Sequence, residues 1–572
     1  MKPFGRAQLT MKNSKNNNQL LKVNLGCGSD YRQGWVNVDA LKKFKPDIIH
    51  DLHSPLPLSD ESAEYVLAQD ILEHFTKEDL LRLLSDLSRI TKSGGLVEIR
   101  VPSVTAITNR LRKFPEARNQ FLYGTTAHTG IFGAHKVGFT PEYLVYLFIS
   151  NGFELKTWDL QDTNYHAVFK KINDQVLLKS LTIVAHTFGL GGAEQFITQL
   201  AEDFSMRETQ VTVWTNHQPW IAMLESKKIV ANKVPIAIDV IGDWKGLLKA
   251  VLLFPFVLMT DAWMVWQTKK SDAILLSGFS QKLSVSLWAA LWRRPLVWIE
   301  FGPLESVLKK FGKLPKLFYY LAKKLPQIII VPSYHTFQHL ISGAKIDLAK
   351  LCTIPCGVAV PKDLSSDSST IPNRVVCVSR LEPGKGQDRL IVAFKAVVKA
   401  IPTAHLRIIG EGGFDQTLRQ LIEKNQLTKQ VELVGRVPNS LLEMKQAEIC
   451  VVPSTWELEG FGLTVVEAMM LAKPVIVFDT PPLNELVENE VTGIVIQDDA
   501  SHNESQLAKA IIRLLSDAQL REKLGISARK QAKRKYLFEK IGASYVQAIE
   551  EAMQRVQARV QLKTAGWSRY DE

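Results

Sequence analysis

The chain has 572 residues, enough for several domains at roughly 150 residues each, and its 46% hydrophobic and 22% charged content excludes a disordered or fibrous protein. A net charge of +12 points to an anionic partner: a membrane surface, nucleic acid or a phosphorylated substrate. Five cysteines in this length exclude a disulfide framework, and Cys352 and Cys356 lack the second pair that a zinc site needs, so a reducing cytosol is expected.

Residues 1–20 are polar, with an Asn run at Asn16 to Asn18, and read as a disordered tail without the apolar core of a signal peptide. Leu21 to Leu25 is a short strand running into Gly26-Cys27-Gly28, a turn that lets a ligand approach the backbone. Val36 to Asp39 is a second strand ending in an acid, and Asp47 to Asp51 a third ending in Asp51. Glu64 to Ala68 is a fourth, followed by Asp70 and Leu72-Glu73-His74, and Leu96 to Val101 a fifth. Strand and helix alternate, which predicts a doubly wound parallel α/β sheet with its ligands at the carboxyl ends of the strands, where Gly26, Gly28, Asp39, Asp51 and Asp70 fall. His128 and His135 lie in a loop before Phe139-Thr140-Pro141-Glu142 starts a helix; either is a candidate general base or a loop histidine, and His74 reads as structural.

Asn24-Leu25-Gly26-Cys27-Gly28, Gly34 to Asp39 and Leu72-Glu73-His74 together resemble the class I S-adenosylmethionine-dependent methyltransferases over residues 21–172. The resemblance implies that Gly26, Cys27 and Gly28 hold the methionine part of S-adenosylmethionine. It puts Asp39 on the ribose and Asp51 near the adenine, with Asp70 where the family often has His. The methyl acceptor would be a sugar hydroxyl. The rival reading is a scaffold that binds the cofactor, or a dead fold, without catalysing transfer.

Residues 173–180 read as a short linker, and Leu181 to Ala185 starts a fresh sheet. Gly189 to Glu194 is a glycine turn opening a helix. Trp244, Trp263, Trp266, Trp288, Trp292 and Trp298 fall close together, followed by Lys309, Lys310, Lys313, Lys316, Lys323 and Lys324 among apolar residues. That pattern suits an anionic bilayer surface, or a core sheet followed by a solvated basic helix. No recognised nucleic-acid module is visible. No stretch reads as a full membrane span: Ala250 to Thr260 comes nearest, with Pro255 interrupting and Asp261 ending it.

Arg374 to Val378 starts the last sheet and leads into Arg380 and Lys385. Ile449 to Val452 is a buried strand closing at Pro453-Ser454, followed by a turn with Glu459 and an apolar helix from Leu463. A helix start offers unpaired N–H groups to an anion, and carboxylates flanking it suit hydroxyls. Glu459 and Glu467, with seven residues between, and Gly460-Phe461-Gly462-Leu463 resemble the paired-glutamate motif of the retaining GT-B glycosyltransferases of family four.

That resemblance implies two lobes, acceptor 181–358 and donor 359–560 with a final crossing helix, and a tail at 561–572. Arg380, Lys385 and Glu459 would be catalytic. Gly191, Gly192, Gly460, Phe461, Gly462, Leu463 and Glu467 would join Arg380 and Lys385 around a nucleotide-sugar. No metal is expected, since two cations and backbone amides can stabilise a departing diphosphate. Two positions depart from the pattern: Glu300-Phe301-Gly302 stands where the family often has His-Gly, and Pro481-Pro482 where it often has Gly-Gly. The implied protein is a bifunctional enzyme moving a sugar to a glycan or lipid-linked acceptor in surface polysaccharide or glycolipid assembly. It would be cytoplasmic or peripheral on the inner face of the cell membrane.

Overall fold

The computed structural model describes residues 21–113, 135–172, 177–187, 189–236, 244–309, 314–359, 369–456, 459–499 and 503–567. His128, Lys310 and Lys313 lie outside them. Three sheets follow one another along the chain. They fall into two compact units, residues 1–177 with 554–572, and residues 178–553.

The first unit holds β1 (Leu21–Leu25), β2 (Val36–Asp39), β3 (Ile48–Ile49), β4 (Ala63–Gln69), β5 (Thr91–Pro102), β6 (Phe153–Gln161) and β7 (Asn164–Lys171). Their order is β3-β2-β1-β4-β5-β7-β6. The first five strands pair in parallel, as the alternation predicts; β7 pairs antiparallel with both β5 and β6. The antiparallel pair reflects chain length: two residues separate β6 from β7, enough for a hairpin and too few for a parallel crossover. Thr76 and Thr140 cap the helices Lys77–Ile90 and Pro141–Ile149 by accepting from the N–H groups of Asp79 and Tyr143. The residues expected to form a tail are in part structured. The helix Phe538–Thr564 extends into them, and Leu562 is buried in this unit's core beside Ala558 because its apolar face has a sheet to cover.

In the second unit, one sheet runs β8 (Ser180–Val184), β9 (Gln210–Thr215), β10 (Val230–Lys233), β11 (Ala273–Leu276), β12 (Leu296–Ile299), β13 (Ile328–Val331) and β14 (Leu351–Thr353). Its order is β10-β9-β8-β11-β12-β13-β14, parallel throughout. The expected linker ends earlier than read, since Leu178 is buried and Lys179 donates its N–H to Asp272. The other sheet runs β15 (Arg374–Val378), β16 (His405–Ile409), β17 (Val431–Gly435), β18 (Ile449–Val452), β19 (Val475–Phe478) and β20 (Gly493–Ile496). Its order is β17-β16-β15-β18-β19-β20, also parallel. The central strands are continuous apolar runs buried at every position, as strands covered on both faces must be.

The helix Phe538–Thr564 crosses back to the first sheet of this unit. Glu539 accepts from Arg207, Glu550 accepts the N–H of Leu178, and Tyr545 is fully buried. Glu300, one of the two departures, is buried with Lys282 at 3.0 Å and the Tyr319 hydroxyl at 2.8 Å. It therefore serves a buried charge pair beside the first sheet of this unit.

One expectation is corrected. The helix Trp244–Gln267 continues past Pro255, and with the 3-10 turn Thr268–Lys270 that follows it gives a stretch, Leu248–Lys270, long and apolar enough to cross a membrane by length and composition. Asp261 does not end it, because its carboxyl is buried and accepts from the Ser284 hydroxyl. The Trp288 indole N–H donates to the Leu258 carbonyl on the same side, at 2.9 Å. Leu248, Leu252, Phe256, Met259, Trp263 and Trp266 form an exposed stripe along the other side, at the three- and four-residue spacing of one helix face.

Candidate functional site

The second unit carries a cleft of about 710 Å³ between its two sheets. Its donor wall is the loop after β15, with Arg380 and Lys385, and the segment from Pro453 to Glu467 after β18. Lys385 is 8% exposed, and its Nζ lies 2.7 Å from the Glu459 carboxylate. Glu459 also accepts from the Ser454 hydroxyl at 3.0 Å. The Trp456 ring backs both cations, with Lys385 Nζ 4.2 Å and the Arg380 guanidinium 5.2 Å from its centroid. Arg380 is more exposed and pairs with Glu382 at 2.9 Å. The helix Leu463–Met470 starts on the same wall, and Gly462 supplies no side-chain cap, so its positive end is open to an anion.

Gly460 fixes how closely the two lobes meet. A Cβ there would sit 1.4 Å from the Phe301 carbonyl oxygen, so any larger residue would push the lobes apart. Its own carbonyl accepts from the Ser333 hydroxyl at 2.8 Å. Glu485 ties the lobes a second time, accepting the N–H groups of Tyr334 at 3.0 Å and His335 at 2.7 Å. These two N–H groups open the helix Tyr334–Ser342, so the carboxylate sits at its positive end. Pro482, the other departure, precedes the short helix Leu483–Leu486 that carries Glu485.

The structure gathers Arg380, Lys385, Glu459, Gly460, Gly462, Leu463, Glu467, Gly191 and Gly192 around this cleft. Phe461 also borders it, but its ring is 6% exposed and packs edge-on to Tyr536, so its side chain serves the core. The Gly191 N–H is already taken by the Glu194 carboxylate at 2.8 Å. That bond holds the glycine turn at the start of its helix, facing the same cleft as Arg380 and Lys385. Glu467 lies on the donor wall, and burial pushes its carboxyl up to about 7. Ser454, which flanks the motif, and Trp456 belong to the site by contact, and nothing in the spacing marked Trp456 as more than a turn residue.

In the first unit, Gly26 and Gly28 have φ of +58° and +50°, a region other residues avoid. A Cβ on Gly26 would meet Ile71 at 2.9 Å, whereas Gly28 faces open space apart from the Gly26 carbonyl at 3.9 Å. Asp39, 8% exposed, accepts the N–H of Gly28 at 2.9 Å and of Leu41 at 2.7 Å, which locks the turn against β2. Asn37 holds the outer part of the same loop, donating to the Arg32 carbonyl and to Asp47, and this network was not read from the sequence. Cys27 is buried, which with nearby Asp39 raises its thiol to about 11 and keeps it unreactive. Asp51 is exposed and binds its neighbour His53. Asp70 pairs with Arg100, Nε to carboxylate at 2.9 Å.

His74 and His135 meet edge-on with ring centres 5.0 Å apart, beside the buried Glu73. Burial pushes the Glu73 carboxyl up to about 8. The lysines read as a basic surface are partly used inside the fold: Lys323 donates to the carbonyls of Ala344 and Lys345, while Lys309 and Lys324 are exposed.

Comparison with known proteins follows the three sheets. Residues 19–99 match a family described as a methyltransferase domain, residues 190–360 glycosyltransferase family 4, and residues 363–531 glycosyl transferases group 1. A GDP-mannose-dependent monoacylated alpha-(1-6)-phosphatidylinositol monomannoside mannosyltransferase of Corynebacterium glutamicum is 30% identical over 288 residues, 49% of this chain and 74% of that protein. A poly(glycerol-phosphate) alpha-glucosyltransferase of Bacillus subtilis is 33% identical over 162 residues, 28% of this chain and 23% of its own length. The match likewise spans only 31% of a GtfA peptide N-acetylglucosaminyltransferase subunit of Streptococcus pneumoniae. Among solved structures, Anabaena HepE in complex with UDP and glucose shares the fold, with TM-score 0.53 and 20% identity over 64% of this chain and 98% of that one.

A glutamate with a pKa near 7 in the fold and about 4.3 in the unfolded chain weakens the fold as pH rises between those values, because the unfolded chain releases its proton first. Glu467→Gln removes that loss. Its melting temperature relative to the natural chain should therefore be higher near about pH 8 than near about pH 5. A difference independent of pH would mean that Glu467 ionises normally in the folded protein.

Proposed function

The chain belongs to the group 1, family 4 glycosyltransferases and carries a methyltransferase domain ahead of them; from this we propose a bifunctional enzyme of surface polysaccharide or glycolipid assembly. Its second unit transfers a sugar from a nucleotide-sugar to a glycan or lipid-linked acceptor, with retention of configuration. The observation that carries this is the Lys385–Glu459 pair beside Arg380 and the open start of the helix Leu463–Met470. As the bond from the anomeric carbon to the diphosphate oxygen breaks, that oxygen takes the electron pair. Arg380, Lys385 and the helix start then stabilise the new charge. Glu459, held by Lys385 and Ser454, orients a sugar hydroxyl, and Glu467 accepts from the ribose. The volume of the cleft suits a nucleotide-sugar. The acceptor hydroxyl oxygen bonds to the anomeric carbon on the face that the diphosphate leaves, its proton passing to the departing diphosphate, and Gly191 and Gly192 line the nucleotide-sugar's side of the cleft.

The first unit's turn fits S-adenosylmethionine: Gly28 leaves bare backbone facing open space, with the Asp39 carboxylate beneath it. The cofactor, when bound, supplies an electrophilic methyl group. Gly26, Cys27 and Gly28 would then hold its methionine part, Asp39 the ribose, and Asp51 would lie near the adenine. Asp70, paired with Arg100, would join them at the carboxyl end of β4. His128 and His135 are the candidates to orient the sugar hydroxyl.

We place the protein on the cytoplasmic face of the membrane, attached peripherally. The support is the exposed stripe from Leu248 to Trp266, with Asp261 bound inside the protein on the opposite face. An apolar cavity of about 100 Å³ lined by Val251, Phe254, Leu283 and Phe318 adjoins that helix and suits part of a lipid chain.

Arg380→Ala or Lys385→Ala should lower sugar transfer about 10²-fold or more and leave methyl transfer unchanged. A screen of nucleotide-sugars against the natural chain identifies the donor, and NMR of the anomeric proton reads the configuration. Wild-type transfer by both variants would remove them from the donor site. Calorimetry with S-adenosylmethionine should show binding that Gly28→Trp abolishes. No binding by the natural chain would favour the dead-fold reading. The protein should co-sediment with anionic vesicles, and Phe256→Glu with Met259→Glu should release it while donor hydrolysis persists. Equal sedimentation of both proteins would refute the stripe as the attachment.

A further inference from the structure

Glu73 and His74 lie in the one-turn helix Leu72–His74 at the carboxyl end of β4, and His135 comes from a segment sixty residues further on. The backbone brings them together. The Glu73 carbonyl accepts the N–H groups of Lys136 at 2.6 Å and Val137 at 3.2 Å, which clamps the residue before them, His135, against the turn. One ligand atom from each of Glu73, His74 and His135 lies within 4.8 Å of the others. Glu73 is 1% exposed, and its Oε2 has no hydrogen-bond partner among the described residues. A buried carboxylate oxygen without a partner is costly unless a proton or a cation meets it.

We propose that Glu73, His74 and His135 bind a divalent transition-metal ion. Two imidazoles and one carboxylate form a nitrogen–oxygen donor set that suits zinc, cobalt or iron better than magnesium or calcium. Ligand atoms about 2.0–2.2 Å from one ion stand about 3.3 Å apart, and rotation of the two partly exposed imidazoles closes the remaining gap. Three protein ligands leave a position open for an oxygen ligand, as in sites that act on a substrate. The site lies at the sheet edge that carries the glycine turn, and Ile71, two residues before Glu73, packs on Gly26. If the methyltransferase reading holds, that oxygen is the acceptor hydroxyl, and His135 serves as a ligand in place of a base. The existence of the site does not depend on that reading.

The test uses the full chain, stripped with a chelator and titrated with Co²⁺ alone, without S-adenosylmethionine or acceptor. Equilibrium dialysis with elemental analysis should find one Co²⁺ per chain, with the visible absorption of nitrogen–oxygen coordination. His74→Ala, His135→Ala and Glu73→Gln should each weaken binding by about tenfold or more, while His405→Ala, at an exposed histidine elsewhere, should not. Circular dichroism checks that each variant is folded, and Glu73→Gln keeps the shape of the side chain should either alanine variant unfold. No stoichiometric Co²⁺ in the natural chain, or equal binding by folded variants, would overturn the proposal. Calorimetry with S-adenosylmethionine tests the cofactor reading separately, so either can fail alone.

Discussion

The cleft of the second unit depends on one buried ion pair. Lys385 is 8% exposed, and Glu459 meets its ammonium group at 2.7 Å. The two come from the loops after β15 and β18, adjacent strands of a parallel sheet, so their carboxyl ends open side by side. Trp456 backs the lysine and Ser454 holds the glutamate, leaving the pair fixed before any ligand arrives. Preorganised charge of this kind is effective because it needs no rearrangement when the substrate's own charge develops.

The same unit brings its two lobes to near contact at a residue without a side chain. Gly460 meets the Phe301 carbonyl, and Glu485 bonds across to the start of the helix Tyr334–Ser342. The departures from the family pattern acquire reasons beside these contacts. Glu300 is committed to Lys282 and Tyr319 in a buried pair, and Pro482 leads into the turn that presents Glu485. The first unit uses a related device, a carboxylate that accepts backbone N–H groups: Asp39 locks the glycine turn against the second strand.

The helix Trp244–Gln267 shows how one segment can satisfy two surroundings. Its inner face carries Asp261 and bonds to Ser284 and Trp288, while its outer face is a row of apolar side chains. A spanning helix would have to place that aspartate in lipid. A helix lying on the surface does not, because the protein already pairs it.

The sequence by itself determined the three sheets, their chain order and most of the cleft. Apolar runs bounded by glycine, proline and acids mark buried parallel strands, and the ends of those strands are where sites form. It also marked Arg380, Lys385, Glu459 and Glu467, because their spacing within two strand–loop–helix units is local. What depended on contacts between distant segments stayed hidden. The burial of Leu562, the pairing of Asp261 that lets a helix run on through Pro255, and Trp456 behind two cations were all decided by packing. Glu73, His74 and His135 are the clearest case. Sixty residues separate the second histidine from the first two groups, and the backbone bonds from Lys136 and Val137 to Glu73 bring them together. No periodicity records such a bond, because it is made by the fold and not by neighbours along the chain.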